Sequence, residues 1–132
     1  MVDAISIALS GLNAQKQKLA ATANNIANVS TSGAVPTATN NSTVYKPLQT
    51  TFTSLDQGQG VTANITPDEK GYTVTFDPSS PFANDQGQIA VPNVDLAQEA
   101  VNAIEAKLAY KANISVIKTQ EDMNKELLDT LA

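Results

Sequence analysis

The chain contains no cysteine, no histidine and no tryptophan. Without cysteine there can be no disulfides and no thiolate nucleophile, and without both residues the usual zinc sites are excluded. Histidine is also the side chain best suited to moving protons near neutral pH. The sequence therefore predicts a protein that is not an enzyme, with no catalytic residues, no cofactor and no metal site.

Charge is scarce as well: only 16% of the residues are charged, and the net charge is −5. The eight basic residues are spread thinly, so no basic stripe is available to neutralise phosphates. Nucleic acid is therefore not an expected partner. Asn, Thr, Gln and Ser take the place of the missing charges, and such an uncharged polar surface suits a protein that is covered by copies or partners.

Long apolar runs are missing too, because no stretch approaches about 18 consecutive apolar residues. The sequence predicts no direct membrane insertion. The first six residues, Met1 to Ser6, have neither a basic region nor a cleavage pattern, so any export is expected to proceed without a cleaved signal peptide. With 132 residues, the chain has room for one small core.

Two segments have the apolar period of helices. The first, residues 4–28, contains no proline, and its large apolar residues recur at steps of three, four and seven, with Lys16 in one slot of the series. The second, residues 96–131, follows Asp95, which can cap a helix. Its apolar residues form two overlapping series, and at about 1.5 Å per residue it would exceed the width of a small domain. Part of it must therefore pack outside its own chain.

Between these segments the composition changes, since residues 30–93 hold five of the six glycines and all six prolines. Alternating apolar residues at 61–65 and 72–76 flank a turn at 66–71 and predict a β-hairpin. Further strands are possible near 45–52 and 88–91. Residues 30–43 are polar and lack bulk, which is typical of a mobile linker or of a recognition segment without its partner.

Together these features predict an α+β fold that is mainly α. Long N- and C-terminal helices form an antiparallel pair resembling a coiled coil, with a small β-hairpin and loop segment between them. The expected divisions are residues 1–30 for the first helix, 31–93 for the middle segment and 94–132 for the second helix.

Motifs at both ends resemble one known family. Residues 8–15, ALSGLNAQ, and 20–31, AATANNIANVST, look like the opening signature of the flagellar basal-body rod and hook family. Residues 92–99, PNVDLAQE, with 109–113, AYKAN, and 116–119, VIKT, resemble its C-terminal signature. The short length and the run FDPSSP at 76–81 look most like the proximal rod members of that family.

The resemblance implies a structural subunit of the bacterial flagellar proximal rod, which polymerises through its terminal helices, transmits torque and forms the wall of the export channel. It implies a periplasmic place in the basal body, reached through the flagellar export apparatus. The implied partners are that apparatus, copies of the chain and other rod subunits. A soluble or secreted helical adaptor with a single partner is the alternative, and an enzyme is the third possibility.

The expected assembly interface consists of the large residues of the two apolar series. They are Ile5, Leu9, Leu12, Leu19 and Ile26 on the first helix, and Val101, Ile104, Leu108, Tyr110, Ile114, Ile117 and Leu128 on the second. Tyr110, set beside Ala109 and Ala112, could instead be an ordinary core residue. The carboxylates of the second helix are expected to form a solvated or intersubunit face.

Overall fold

The computed structural model describes residues 4–37 and 44–131, and two long helices dominate it. Helix α1 spans Ala4–Asn28 and helix α2 spans Leu96–Leu131, both as the sequence predicts. Between them, the described part of the chain forms four strands, which pair in two separate two-stranded antiparallel sheets. The predicted class, an α+β fold that is mainly helical, is confirmed.

The start of α2 is fixed by its predicted cap. An Asp95 Oδ1 oxygen accepts hydrogen bonds from the amides of Ala97, at 2.8 Å, and Gln98, at 3.3 Å. These two amides lie in the first turn, where no carbonyl within the helix can reach them.

The two helices run antiparallel and pack along most of α1. Asn25 near the end of α1 contacts Glu99 near the start of α2, and Gly11 lies against Asn113, about four turns further along the pair. The residue numbers of the two helices therefore change by equal amounts in opposite directions along the pair. In this register Ala4 lies opposite about Gln120. Residues 121–131, at the end of α2, continue past the first described residue of α1.

The first sheet is a hairpin of β1, Leu48–Ser54, and β2, Val61–Pro67, and it packs on α1. The turn between the strands includes a short 3-10 helix at Asp56–Gly58, and two of its glycines, Gly58 and Gly60, have positive φ angles of 72° and 116°. At Gly60 a Cβ atom would lie 2.0 Å from the hydroxyl of Ser10 on α1. That hydroxyl accepts a hydrogen bond from the amide of Val61 at 3.0 Å, which ties the hairpin to α1.

The second sheet pairs β3, Tyr72–Phe76, with β4, Gln88–Pro92. On the other side of β4, Gly33 adds a short third segment. Its N–H donates to the carbonyl of Ala90 and its carbonyl accepts from the N–H of Ala90, each at 2.9 Å. The chain leaving α1 is thereby held beside the strand that leads into α2.

The predicted hairpin between 61–65 and 72–76 is wrong, although both segments are strands. Residues 61–65 pair with β1 and 72–76 pair with β4. At the predicted turn the amide of Asp68 donates to the carbonyl of Pro47, at 2.8 Å, so the chain passes from one sheet to the other. The possible strands near 45–52 and 88–91 are β1 and β4, and they provide the actual partners.

The mobile linker predicted at 30–43 is described only in part. Gly33 is held by its pairing with Ala90, and the structure describes the chain as far as residue 37. Residues 38–43 lie outside the described residues. The buried apolar residues of the described chain are small for the most part: Ala8, Ala14, Ala21, Val44, Ala63, Ile89, Ala90 and Ala106.

Candidate assembly surface

The contact between the two helices is made by small side chains, which define the inner face of the pair. On α1 the buried residues include Ala8, Gly11, Ala14 and Ala21, and on α2 the buried residue is Ala106, with 1% of its surface exposed. A Cβ atom at Gly11 would lie 2.8 Å from the side-chain amide of Asn113. Small residues let two helix backbones approach closely, and the close contact at Gly11 shows such an approach.

Most of the large apolar side chains of the helices are exposed instead, and these exposed side chains are called the outer face. Ile104, Leu108 and Leu128 have 67–68% of their surface exposed. Five other predicted interface residues are also exposed: Leu9, Leu19, Ile26, Val101 and Tyr110. The remaining four are half-buried: Ile5, Leu12, Ile114 and Ile117.

Tyr110 is not an ordinary core residue, because 40% of its surface is exposed. The structure also adds exposed apolar residues that the predicted interface did not include: Ile7, Val116, Met123, Leu127 and Leu131. Four of these five lie in the apolar series of α2 or in its last two turns. A single chain thus leaves a long apolar face of its helix pair in contact with water. Binding of a partner that buries this apolar surface would be favourable in free energy.

Asn25 is a residue that the sequence analysis missed, and it lies at the end of the inner face with 1% of its surface exposed. Its Nδ2 donates to the carbonyl of Leu48, at 2.9 Å, and to Glu99 Oε1, at 2.7 Å. Its Oδ1 accepts from the amide of Leu48, at 2.7 Å, and from the hydroxyl of Tyr45, at 2.9 Å. One side chain thereby joins α1, the start of β1 and the start of α2.

The surroundings of Asn25 also affect Tyr45. Burial, and to a smaller extent the carboxylate of Glu99, raise the pKa of the Tyr45 hydroxyl above its ordinary value. A tyrosine hydroxyl is protonated at neutral pH even at its ordinary pKa, and it can therefore donate its hydrogen bond to Asn25. A signal for this cluster is present in the sequence, since asparagine recurs in the run NNIAN at 24–28, but a pattern of asparagines does not say which one is buried.

The carboxylates of α2 differ in their burial and in their partners. Glu99 is half-buried and bonded to Asn25, whereas Glu105 forms an ion pair with Lys18 of α1 at 2.9 Å. Glu121, Asp122 and Glu126 are exposed. Within residues 4–37 and 44–131, no three His, Cys, Asp or Glu side chains form a group that could hold a metal ion. None of the helices described is long and apolar enough to span a bilayer.

Comparison with known proteins gives one consistent result. Residues 5–34 match the family described as flagella basal body rod protein, and residues 85–130 match the C-terminal family of flagellar basal body rod FlgEFG proteins. A flagellar basal-body rod protein FlgC of Yersinia enterocolitica is 34% identical, over 93% of this chain and 92% of its own. The FlgC proteins of Agrobacterium fabrum and Borreliella burgdorferi are 32% and 31% identical, over 97% and 99% of this chain and 93% and 97% of theirs.

This chain belongs to the FlgC family of flagellar basal-body rod proteins. The two matched regions correspond to the helix pair: 5–34 covers nearly all of α1, and 85–130 covers β4 and α2. The resemblance found in the sequence is thereby confirmed. In this rod protein the regions that carry the family likeness are the same regions that carry the outer face.

Proposed function

We propose that this chain is a structural subunit of the bacterial flagellar proximal rod and that it polymerises through the outer face of α1 and α2. The observation that carries the proposal is the sorting of the helix residues by size. Alanine and glycine are buried in the contact within the chain, while most of the leucines and isoleucines of the helices remain exposed to water. Neighbouring helices in a polymer would cover them, and a screw-related repeat of such contacts gives a tube.

In the assembled rod, residues 1–30 and 94–132 form the wall of the export channel and transmit torque, and residues 31–93 face outward. The partners are copies of the chain and other rod subunits. The chain reaches its periplasmic place in the basal body through the flagellar export apparatus, without a cleaved signal peptide, and it performs no catalysis. Its membership of the rod family favours this function over a soluble adaptor with a single partner.

The test places a charge on the outer face without disturbing the inner one. Leu108→Asp changes a residue that is 68% exposed, so the isolated chain should keep its helicity and its free energy of unfolding within about 0.5 kcal/mol. A buried intersubunit contact would not tolerate the new carboxylate. We therefore expect the source bacterium carrying this variant to lose swimming and rod incorporation of the subunit.

Thr51→Asp is the matched control, because it introduces the same charge at an exposed position of β1 in the middle segment. Swimming should persist with this variant. Normal swimming with Leu108→Asp would contradict the proposal. Recovery of the wild-type chain in one discrete stoichiometric complex, with no open-ended assembly, would support the adaptor instead.

A further inference from the structure

One side of the helix pair contains an apolar groove of about 470 Å³. Its floor and walls are formed mainly by apolar side chains and by the stems of two lysines: Lys16 and Leu19 on α1, and Ala103, Ile104, Lys107 and Tyr110 on α2. One lysine stands on each helix, so the groove has a positive charge on both rims. Neither lysine forms an ion pair with any residue of 4–37 or 44–131.

The end of α2 has the opposite character. Residues 121–131, here called the acidic tail, carry four carboxylates and one lysine, a net charge of −3, and all of them are exposed. In a helix of about 3.6 residues per turn, Met123, Leu127 and Leu131 follow one another at steps of four and form an apolar stripe, with Leu128 beside them. Glu126 flanks one edge of that stripe and Glu121 flanks the other.

The groove and the acidic tail match in length as well as in charge. The groove follows α2 from Ala103 to Tyr110, about 10 Å, and the stripe from Met123 to Leu131 covers about 12 Å. Both belong to the same chain, but the tail continues past Ala4 and away from the groove, which lies in the middle of the helix pair. The tail can therefore enter a groove only on another molecule.

We propose that the acidic tail of one copy of this chain docks in the groove of a second copy. The apolar stripe covers Leu19, Ile104 and Tyr110, while Glu121 and Glu126 lie against Lys16 and Lys107. The contact is heterologous, because the tail of each copy leaves its own groove free for the next, and such contacts build a helical polymer wherever the rotation between copies does not close a ring. This inference rests on the proposed function, since it names one contact by which the subunits polymerise.

Complementary charges at an interface set which surfaces meet, and like charges placed opposite one another prevent the contact. A reversed groove, Lys16→Glu with Lys107→Glu, and a reversed tail, Glu121→Lys with Glu126→Lys, should each weaken self-association. We expect the concentration needed for association, followed by light scattering and sedimentation at low salt, to rise about tenfold or more for each variant. All four positions are exposed, so circular dichroism should show unchanged helicity.

Mixing the two reversed variants provides the decisive measurement. The acidic tail of the first fits the basic groove of the second, and the basic tail of the second fits the acidic groove of the first. The mixture should therefore associate at the wild-type concentration, as should a single chain that carries all four substitutions. If neither the mixture nor the fourfold variant recovers association, or if either reversed variant associates like the wild type, the docking inference is wrong.

A second measurement uses the absence of cysteine from the chain. Ile104→Cys in one copy and Leu127→Cys in another should give an intermolecular disulfide when the copies are mixed and oxidised. Thr51→Cys paired with Leu127→Cys should not. Equal yields of the two disulfides would overturn the inference.

The failure of this contact can be distinguished from failure of the proposed function. Docking fails alone if charge reversal has no effect while Leu108→Asp still abolishes swimming and rod incorporation. The docking contact and the proposed function both fail if the wild-type chain does not associate at any concentration and bacteria carrying Leu108→Asp swim normally.

Discussion

The inner and outer faces of the helix pair use apolar residues of different sizes. On the inner face the buried apolar residues are alanines, which lie beside Gly11, and Ala106 is 1% exposed. On the outer face, two residues before and after Ala106 on the same helix, Ile104 and Leu108 are more than 60% exposed. In an ordinary helical domain the larger side chains would be the buried ones, because burial stabilises them most.

Because of this difference, a small chain can fold and still remain available for assembly. A contact made of small residues buries little apolar surface per residue, so the helix pair alone is held weakly, and most of the possible hydrophobic stabilisation is left for contacts between subunits. Polar interactions then have a larger share in fixing the pair. Asn25 and the Lys18–Glu105 ion pair both join α1 to α2.

The largest effect on the inner face is expected from Asn25→Ala. The substitution leaves the backbone N–H and carbonyl of Leu48, the Tyr45 hydroxyl and Glu99 without their present partner in a buried site. Each buried polar group that loses its hydrogen bond costs about 1–3 kcal/mol, and water entering the site recovers part of that. We expect the free energy of unfolding, measured by urea denaturation of the monomer, to fall by about 3 kcal/mol.

Asn24→Ala is the control, since Asn24 is the same residue type one position earlier and its side chain is exposed. Its free energy of unfolding should stay within about 0.5 kcal/mol of the wild type. A similar small loss for Asn25→Ala would mean that the cluster does not hold the helices and β1 together.

A smaller effect is expected when the inner face is given an outer-face residue. Ala106→Leu places a large side chain in a contact built for small ones, so the helices must separate or the side chain must adopt a strained rotamer. The free energy of unfolding should fall by about 1–3 kcal/mol. Ala100→Leu, at an exposed position of α2, should change it by less than about 0.5 kcal/mol. A stabilised Ala106→Leu variant would show that the helix contact has space to fill, contrary to the close packing described.

The sequence was sufficient to predict the two helices, with bounds that the structure reproduces, because helix period and capping are local signals. The cap by Asp95 is an example, since the residue and the amides that it binds are neighbours. Strand pairing is a property of the whole fold. Residues 61–65 and 72–76 alternate correctly for strands, but the glycine turn at 58–60 directs the first of them to β1.

For the helix surfaces, the sequence indicated the large exposed residues but not the small buried ones. Leucines and isoleucines produce the strongest periodic signal, and the sequence therefore singled out residues such as Ile104 and Leu108. Their use in assembly stays a prediction. The residues that close the helix pair were not found, because alanine occurs on every side of both helices and its position alone does not reveal which face is buried. Asn25 was missed for a similar reason, as four of the residues at 24–28 are small or polar.

The smallest effect is expected at the border between the two faces, where Lys18 of α1 meets Glu105 of α2 at 2.9 Å. The lysine side chain is 18% exposed and the glutamate 62%, so water screens the pair and its contribution should be about 0.2–1 kcal/mol. Lys18→Met keeps most of the apolar stem and removes the charge, and Lys111→Met, at an exposed position of α2, is the control. We expect urea denaturation to show a loss for Lys18→Met at low salt that disappears at about 1 M salt, where the screening length is about 3 Å. A loss above about 2 kcal/mol that persists at high salt would not fit an exposed ion pair. It would instead mean that Lys18 stabilises the helix pair through the packing of its stem, and that the inner face extends further around α1 than its small residues indicate.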